Sequence, residues 1–161
     1  WIDWNGKSFR LPDLPGDNCL PPHAYVPGLT LRHRDDLFDP IKASVTGDVP
    51  VALLHTTAAW RAGRAYFDAG YFWECHEVLE AVWLQTSQGS PEREITQAMI
   101  QLANARLKIK MNRPRAATRL CAMVEDHLLR CAPRKTILGL RVQDVQHWVA
   151  ETRKSIGSPE M

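Results

Sequence analysis

The chain has 161 residues, of which 45% are hydrophobic and 24% are charged, and its formal net charge is +2. This composition is typical of one soluble globular domain, and the nearly balanced charge gives no general attraction to nucleic acid or to a membrane surface. No apolar run approaches the roughly 18 residues of a membrane-spanning helix, and no signal peptide is visible. We expect a cytoplasmic protein with no membrane partner, and the sequence does not favour a nucleic-acid partner.

The proline content separates an N-terminal arm from the rest of the chain. Residues 1–50 hold seven of the eleven prolines. Because proline cannot donate a backbone hydrogen bond, this arm should be mostly irregular, with one short helix near residues 36–45. Its aromatic and aliphatic side chains argue against disorder. We expect it to pack over a helical bundle formed by residues 51–157, as part of the same domain.

The rest of the chain has the periodicity of helices, and no strand pattern competes with it. Gly70 separates the first two helices, and Pro91 and Pro114 each begin a new one. The predicted fold is therefore an all-α bundle of about five helices under the proline-rich arm. The helices are predicted at about 51–69, 72–86, 91–111, 114–131 and 144–156.

The second predicted helix carries ionisable groups between two apolar strips. Glu77 and Glu80 lie between the strips, and His76 lies at the edge of the first one. A surface helix does not need two apolar strips, so we expect another element or a partner subunit to cover the second, which contains Trp73 and Leu84. The first strip, which should face the core, contains Phe72, Cys75, Val78, Leu79, Val82 and Trp83.

The third predicted helix is apolar around most of its circumference, as buried helices are. The short connection at residues 87–91 should make it an antiparallel neighbour of the second helix. Amides on this helix would then be suitable partners for the glutamates and the imidazole of the preceding one. Its polar stripe consists of Gln97, Gln101, Asn104 and Lys108.

These patterns predict a site between the second and third helices. His76 would act as ligand or proton carrier, with Glu77 and Glu80 as the carboxylates. Gln101 and Asn104 would orient them, since buried ionisable groups need hydrogen-bond partners. The wall or lid of the site is predicted to include Trp83, Tyr25 and His33.

Two further residue classes bear on function. The cysteines (Cys19, Cys75, Cys121 and Cys131) form no Cys-x-x-Cys pair, so we expect reduced thiols, with Cys75 in the core.

No acid occurs between Glu94 and Glu125, a stretch that is rich in arginine and lysine. We interpret this stretch as packed helix faces plus a solvated basic loop. The alternative, a phosphate or nucleic-acid patch, lacks the interleaved aromatics of single-strand binders.

The segment from Phe67 to Trp83 resembles the signature of a prokaryotic family, domain of unknown function 309. That signature places aromatics around a glycine, followed by Glu-x-His-Glu-x-x-Glu and a tryptophan, as here. Residues 98–103 and 112–117 resemble its second and third blocks, and residues 21–33 resemble an arm found in a bacterial subset. The resemblance implies a small, all-helical, cytosolic fold and no established activity.

Several functions remain open at this point. The favoured interpretation is a polar network that fixes helix register, or a binding site for a small ligand or for a partner, either a second copy or another protein. The alternative is a metal-dependent or acid/base hydrolase-type enzyme using His76 with Glu77 or Glu80. No cofactor is predicted, and a divalent metal on His76 and Glu80 belongs to that alternative, which lacks the second histidine of the metalloprotease motif.

Overall fold

Helices account for most of residues 20–157, the part of the chain that the computed structural model describes. The predicted all-α class is confirmed. The described residues divide into two compact units, one ending at Gln85 and the other beginning at Thr86. Cys19 and the first part of the predicted arm, residues 1–19, lie outside the described residues.

The first unit contains three α-helices and one 3₁₀ helix among its described residues. The expectation of a continuous helix over 51–69 is wrong at its start, because Thr57 has an extended backbone and its Oγ1 accepts a hydrogen bond from Trp60 N. This cap begins a new helix after a 3₁₀ segment. The elements are α1 (Asp39–Lys42), the 3₁₀ helix (Val51–Thr56), α2 (Ala58–Ala69) and α3 (Phe72–Trp83).

Helices α2 and α3 form a tight hairpin around Gly70. Gly70 has a φ of 85°, in the left-handed region that suits glycine, and the next amide, Tyr71 N, donates to Tyr66 O at 2.8 Å. Farther along the hairpin, Gly63 of α2 packs against Leu79 of α3 so closely that a Cβ at Gly63 would lie 2.5 Å from a Leu79 methyl. The first predicted strip of α3 is buried at five positions, Phe72, Cys75, Val78, Leu79 and Val82, while Trp83 is half-buried.

The second unit contains three long helices and a small hairpin. Ser90 caps α4 by accepting from Arg93 N at 3.1 Å, and Asn112 makes the turn into α5 with a φ of 59°. The interior of α4 is buried, as predicted, and it packs on α5. The elements are α4 (Pro91–Lys110), α5 (Pro114–Arg130), β1 (Thr136–Ile137), β2 (Leu140–Arg141) and α6 (Val142–Gly157).

The hairpin of β1 and β2 was not expected from the sequence. Each strand has two residues, too few to show an alternating pattern. The turn uses Leu138 and Gly139, both at positive φ, and its leucine lacks the usual asparagine or aspartate signal. Because β2 runs directly into α6, the last helix begins at Val142 rather than at 144.

Candidate functional site

The ionisable groups of α3 have three different environments, although they lie within seven consecutive residues. At 100° per residue, Glu74 lies beside the core strip, and Glu77 lies next to Glu74 but farther from that strip. His76 and Glu80 lie together on another side of the helix. The described arm, from residue 20 to α1, contacts the first two positions. The signature therefore contains groups with different tasks.

Glu74 is the fully buried carboxylate of the signature. Its Oε2 accepts hydrogen bonds from Tyr25 N at 2.7 Å and from His33 Nε2 at 2.6 Å. The His33 side chain is itself almost completely buried. A buried carboxylate held by an imidazole and a backbone amide is costly to disrupt, because each group left behind would be unsatisfied. Glu74 therefore holds the arm on α3.

The second oxygen of this carboxylate differs from the first. Oε1 of Glu74 is buried and has no hydrogen-bond partner in the structure as described. A buried unsatisfied oxygen lowers stability, so Glu74 contributes less than a fully bonded carboxylate would. The arm contacts are therefore the principal stabilising contacts that the structure shows for Glu74.

Aromatic side chains of the arm cover Trp73. The ring centroid of Tyr25 lies 5.1 Å from that of Trp73, in an edge-to-face arrangement, and the Phe38 centroid lies at 6.1 Å. The Arg32 guanidinium lies 5.9 Å from the ring centroid, within the range of a cation–π contact. The expectation that another element covers the second apolar strip is thus confirmed for Trp73. Leu84 is 65% exposed, so no element of the described chain covers it, and its cover by a partner subunit stays a prediction.

Glu77 is paired with α1. Lys42 Nζ donates to Glu77 Oε2 at 2.9 Å, and both side chains are partly exposed. An ion pair in such a position contributes modestly to stability, about 1 kcal/mol or less. The main effect of this ion pair is to position α1, because it holds Lys42, the last residue of α1, against α3.

His76 and Glu80 form the remaining pair of the signature. His76 Nε2 donates to Glu80 Oε2 at 2.7 Å, with side-chain exposures of 24% and 56%. Two donors at this i, i+4 spacing could both reach one metal ion. Within residues 20–157, no group of three or more His, Cys, Asp or Glu side chains is arranged to hold a metal.

The other predicted site residues take separate positions. Gln101 and Asn104 lie on α4 in the second unit. Asn104 Nδ2 donates to Gln101 Oε1 in a long hydrogen bond of 3.5 Å. Tyr25 and His33 contact Glu74, a residue that was not among the candidates, rather than His76 or Glu80. The association of the two amides with His76, Glu77 and Glu80 stays a prediction.

A sequence signal for Glu74 did exist. Glu74 precedes Val78 by four residues, so the two share one side of the helix, and Val78 is a core residue. A carboxylate on the core side of an amphipathic helix predicts a buried partner from elsewhere in the chain. Its partners, however, lie 41 and 49 residues away in an arm without periodicity.

Cys75 does not supply a nucleophile beside these groups. Burial raises the pKa of its thiol far above the ordinary value, and the nearby carboxylates of Asp68 and Glu74 raise it further, against a smaller lowering effect of Arg64. A thiol in that environment stays protonated and inert. The structure therefore confirms the prediction that Cys75 is a core residue.

These features define the class: an all-α protein whose acidic signature helix is bound to an N-terminal arm through a buried carboxylate. A family model described as domain of unknown function (DUF309) matches residues 60–120, which supports the family resemblance of the signature. No curated protein and no solved structure that was compared with the chain matches it. None of the helices between residues 20 and 157 has the length and apolar character needed to cross a bilayer.

Proposed function

We propose that the protein is a binding module without catalytic activity, in which α3 recognises a partner segment carrying a cation beside an apolar side chain. The recognition face consists of His76, Glu80 and Leu84. One observation carries the proposal: Glu74 and Glu77 are engaged by the arm, whereas the His76–Glu80 pair and Leu84 remain accessible. A cytoplasmic location belongs to the same proposal and is supported by three free, buried thiols, Cys75, Cys121 and Cys131.

The charge around the recognition face supports a cationic partner. The sequence contains no lysine or arginine between Arg64 and Arg93, so α3 offers Glu80 no permanent cation, and the helix partner of Glu80 is the His76 imidazole. The half-exposed carboxylate keeps acceptor capacity for a lysine or arginine of the partner. Complementary charge of this kind favours encounter and selects among partners.

Leu84 supplies the apolar part of the face. It directly follows α3 and exposes 65% of its surface, although single exposed leucines are common in monomeric proteins. Its position one turn after Glu80 places the leucine and the carboxylate on neighbouring parts of one helical surface. A helical segment with a lysine next to a leucine has the matching pattern.

A direct test is peptide binding measured by fluorescence anisotropy. A short labelled helical peptide with lysines flanking two leucines should bind the wild-type protein. Glu80→Lys and Leu84→Ser should each weaken binding by roughly tenfold, because the first repels the lysine and the second removes the apolar contact. Glu151→Lys makes the same charge change at an exposed position of α6 and should have little effect.

The control decides the outcome of this test. Equal weakening by Glu151→Lys would mean that the peptide responds only to overall charge, which would contradict the proposed face. Absence of binding to the wild-type protein would contradict it as well.

Acid/base or metal chemistry is the second candidate, favoured by the 2.7 Å hydrogen bond between His76 and Glu80. A carboxylate that orients an imidazole is a common arrangement in general-base catalysis. Elemental analysis of untagged protein separates the two functions. Stoichiometric metal that is lost in His76→Ala would favour the enzyme and contradict the binding module.

A further inference from the structure

A groove of about 660 Å³ lies in the second unit, between the end of α5, the β-hairpin and the start of α6. Its volume is within the range of ligand-binding clefts. The groove is lined by residues of the second unit alone and shares no residue with the recognition face on α3. It therefore requires an explanation independent of the proposed function.

The floor of the groove is apolar. Leu128, Val142 and Leu129 line the groove, and the first two are nearly buried whereas Leu129 is 72% exposed. Ala132 and Pro133 extend this surface beyond the end of α5. A large exposed apolar side chain inside a concave site differs from one on a convex surface, because a bound side chain can contact it on several sides.

The rim of the groove is basic. Arg134, Lys135 and Arg141 line it, and no aspartate or glutamate does. Two of these residues have acidic neighbours outside the groove. Arg134 lies 3.9 Å from Glu92, and Arg141 lies 3.9 Å from Asp144. These separations exceed hydrogen-bond lengths, so both guanidinium groups keep N–H donors for a ligand.

We propose that this groove binds an acidic peptide segment of a partner protein. An apolar side chain of that segment packs against Leu129, and its carboxylates pair with Arg134, Lys135 and Arg141. Arginine in particular can bind a carboxylate through two parallel hydrogen bonds. Gln143 and Gln146 of α6 line the same groove and offer amides to the peptide backbone.

The lining favours a peptide over a nucleic acid. No aromatic side chain lines the groove, so bases would have no ring on which to stack. A peptide with alternating acidic and apolar side chains satisfies both the basic rim and the apolar floor. Charge complementarity together with the exposed leucine therefore selects the occupant.

The test uses a short fluorescein-labelled peptide in which glutamates flank two leucines, with anisotropy as the readout. The double substitution Lys135→Glu and Arg141→Glu should weaken binding by more than roughly tenfold, and Leu129→Ser by several-fold. All three positions are exposed, so the variants should fold. The matched control, Arg115→Glu with Arg119→Glu, makes the same charge change on exposed residues of α5 outside the groove and should have little effect.

Several results would overturn the proposal. They are absence of peptide binding, equal weakening by the α5 control, or equally tight binding of a peptide with glutamine in place of glutamate. Displacement of the peptide by a single-stranded oligonucleotide of equal charge would assign the groove to polyanions instead. A concentration-dependent dimer abolished by the groove substitutions would assign it to a second copy of the chain.

Discussion

Replacing Glu74 by alanine is expected to lower the free energy of unfolding by about 3 to 5 kcal/mol. The substitution leaves the buried His33 imidazole and the Tyr25 amide without their shared acceptor. It also opens a cavity at a side chain that is fully buried. Urea denaturation followed by circular dichroism measures the change, provided that the slope of the transition is unchanged.

The matched control for this prediction is Glu80→Ala on the same helix. Glu80 is a half-exposed glutamate that is also bonded to a histidine, so its removal should change the stability by about 1 kcal/mol or less. A double-mutant cycle of Glu74→Ala with His33→Ala should show coupling between the two sites, since the second substitution removes a group that the first leaves unsatisfied. Equal costs for Glu74→Ala and Glu80→Ala would contradict the role assigned to Glu74.

Gly63→Ala is expected to destabilise the protein by about 1 to 3 kcal/mol, although alanine is the better helix former by about 1 kcal/mol. The new Cβ would lie 2.5 Å from Cδ2 and 2.7 Å from Cγ of Leu79. Leu79 is buried within the hairpin and cannot move away freely. Thermal unfolding should therefore show a lower Tm for the variant.

Gly157→Ala is the control for the Gly63 substitution. A Cβ at Gly157 meets nothing within 4 Å, so this alanine should be neutral or slightly stabilising. The cost at Gly63 should shrink when Leu79 is also replaced by alanine, because the clashing atoms are then absent. If both glycines tolerated alanine equally, the close approach of α2 and α3 would be wrong.

Helix boundaries could be predicted from the sequence because local residues determine them. Gly70, Pro91 and Pro114 each act on their own turn of backbone. In the structure α2 ends before Gly70, and α4 and α5 begin at the two prolines, as predicted. Thr57 was missed, although it is a good N-cap, because the apolar periodicity continues across it from the 3₁₀ segment into α2.

The candidate site was harder to predict because its contacts are not local. The i, i+4 pair of His76 and Glu80 follows from helix geometry alone. The pairing of Glu74 with His33 spans 41 residues and depends on the path of an irregular arm, which no periodicity describes. Tyr25 and His33 were predicted to be part of the wall or lid of a site between the second and third helices, and their partner Glu74 could not be deduced from spacing.

The most direct test of the account is hydrogen exchange at the Tyr25 amide, which donates to the buried Glu74 carboxylate. In the wild-type protein this amide should be protected, and in Glu74→Ala it should exchange at nearly the rate of an unprotected peptide while the Val78 amide of α3 stays protected. Rapid exchange of Tyr25 in the wild-type protein, or unchanged protection in the variant, would contradict the claim that Glu74 holds the arm on the signature helix.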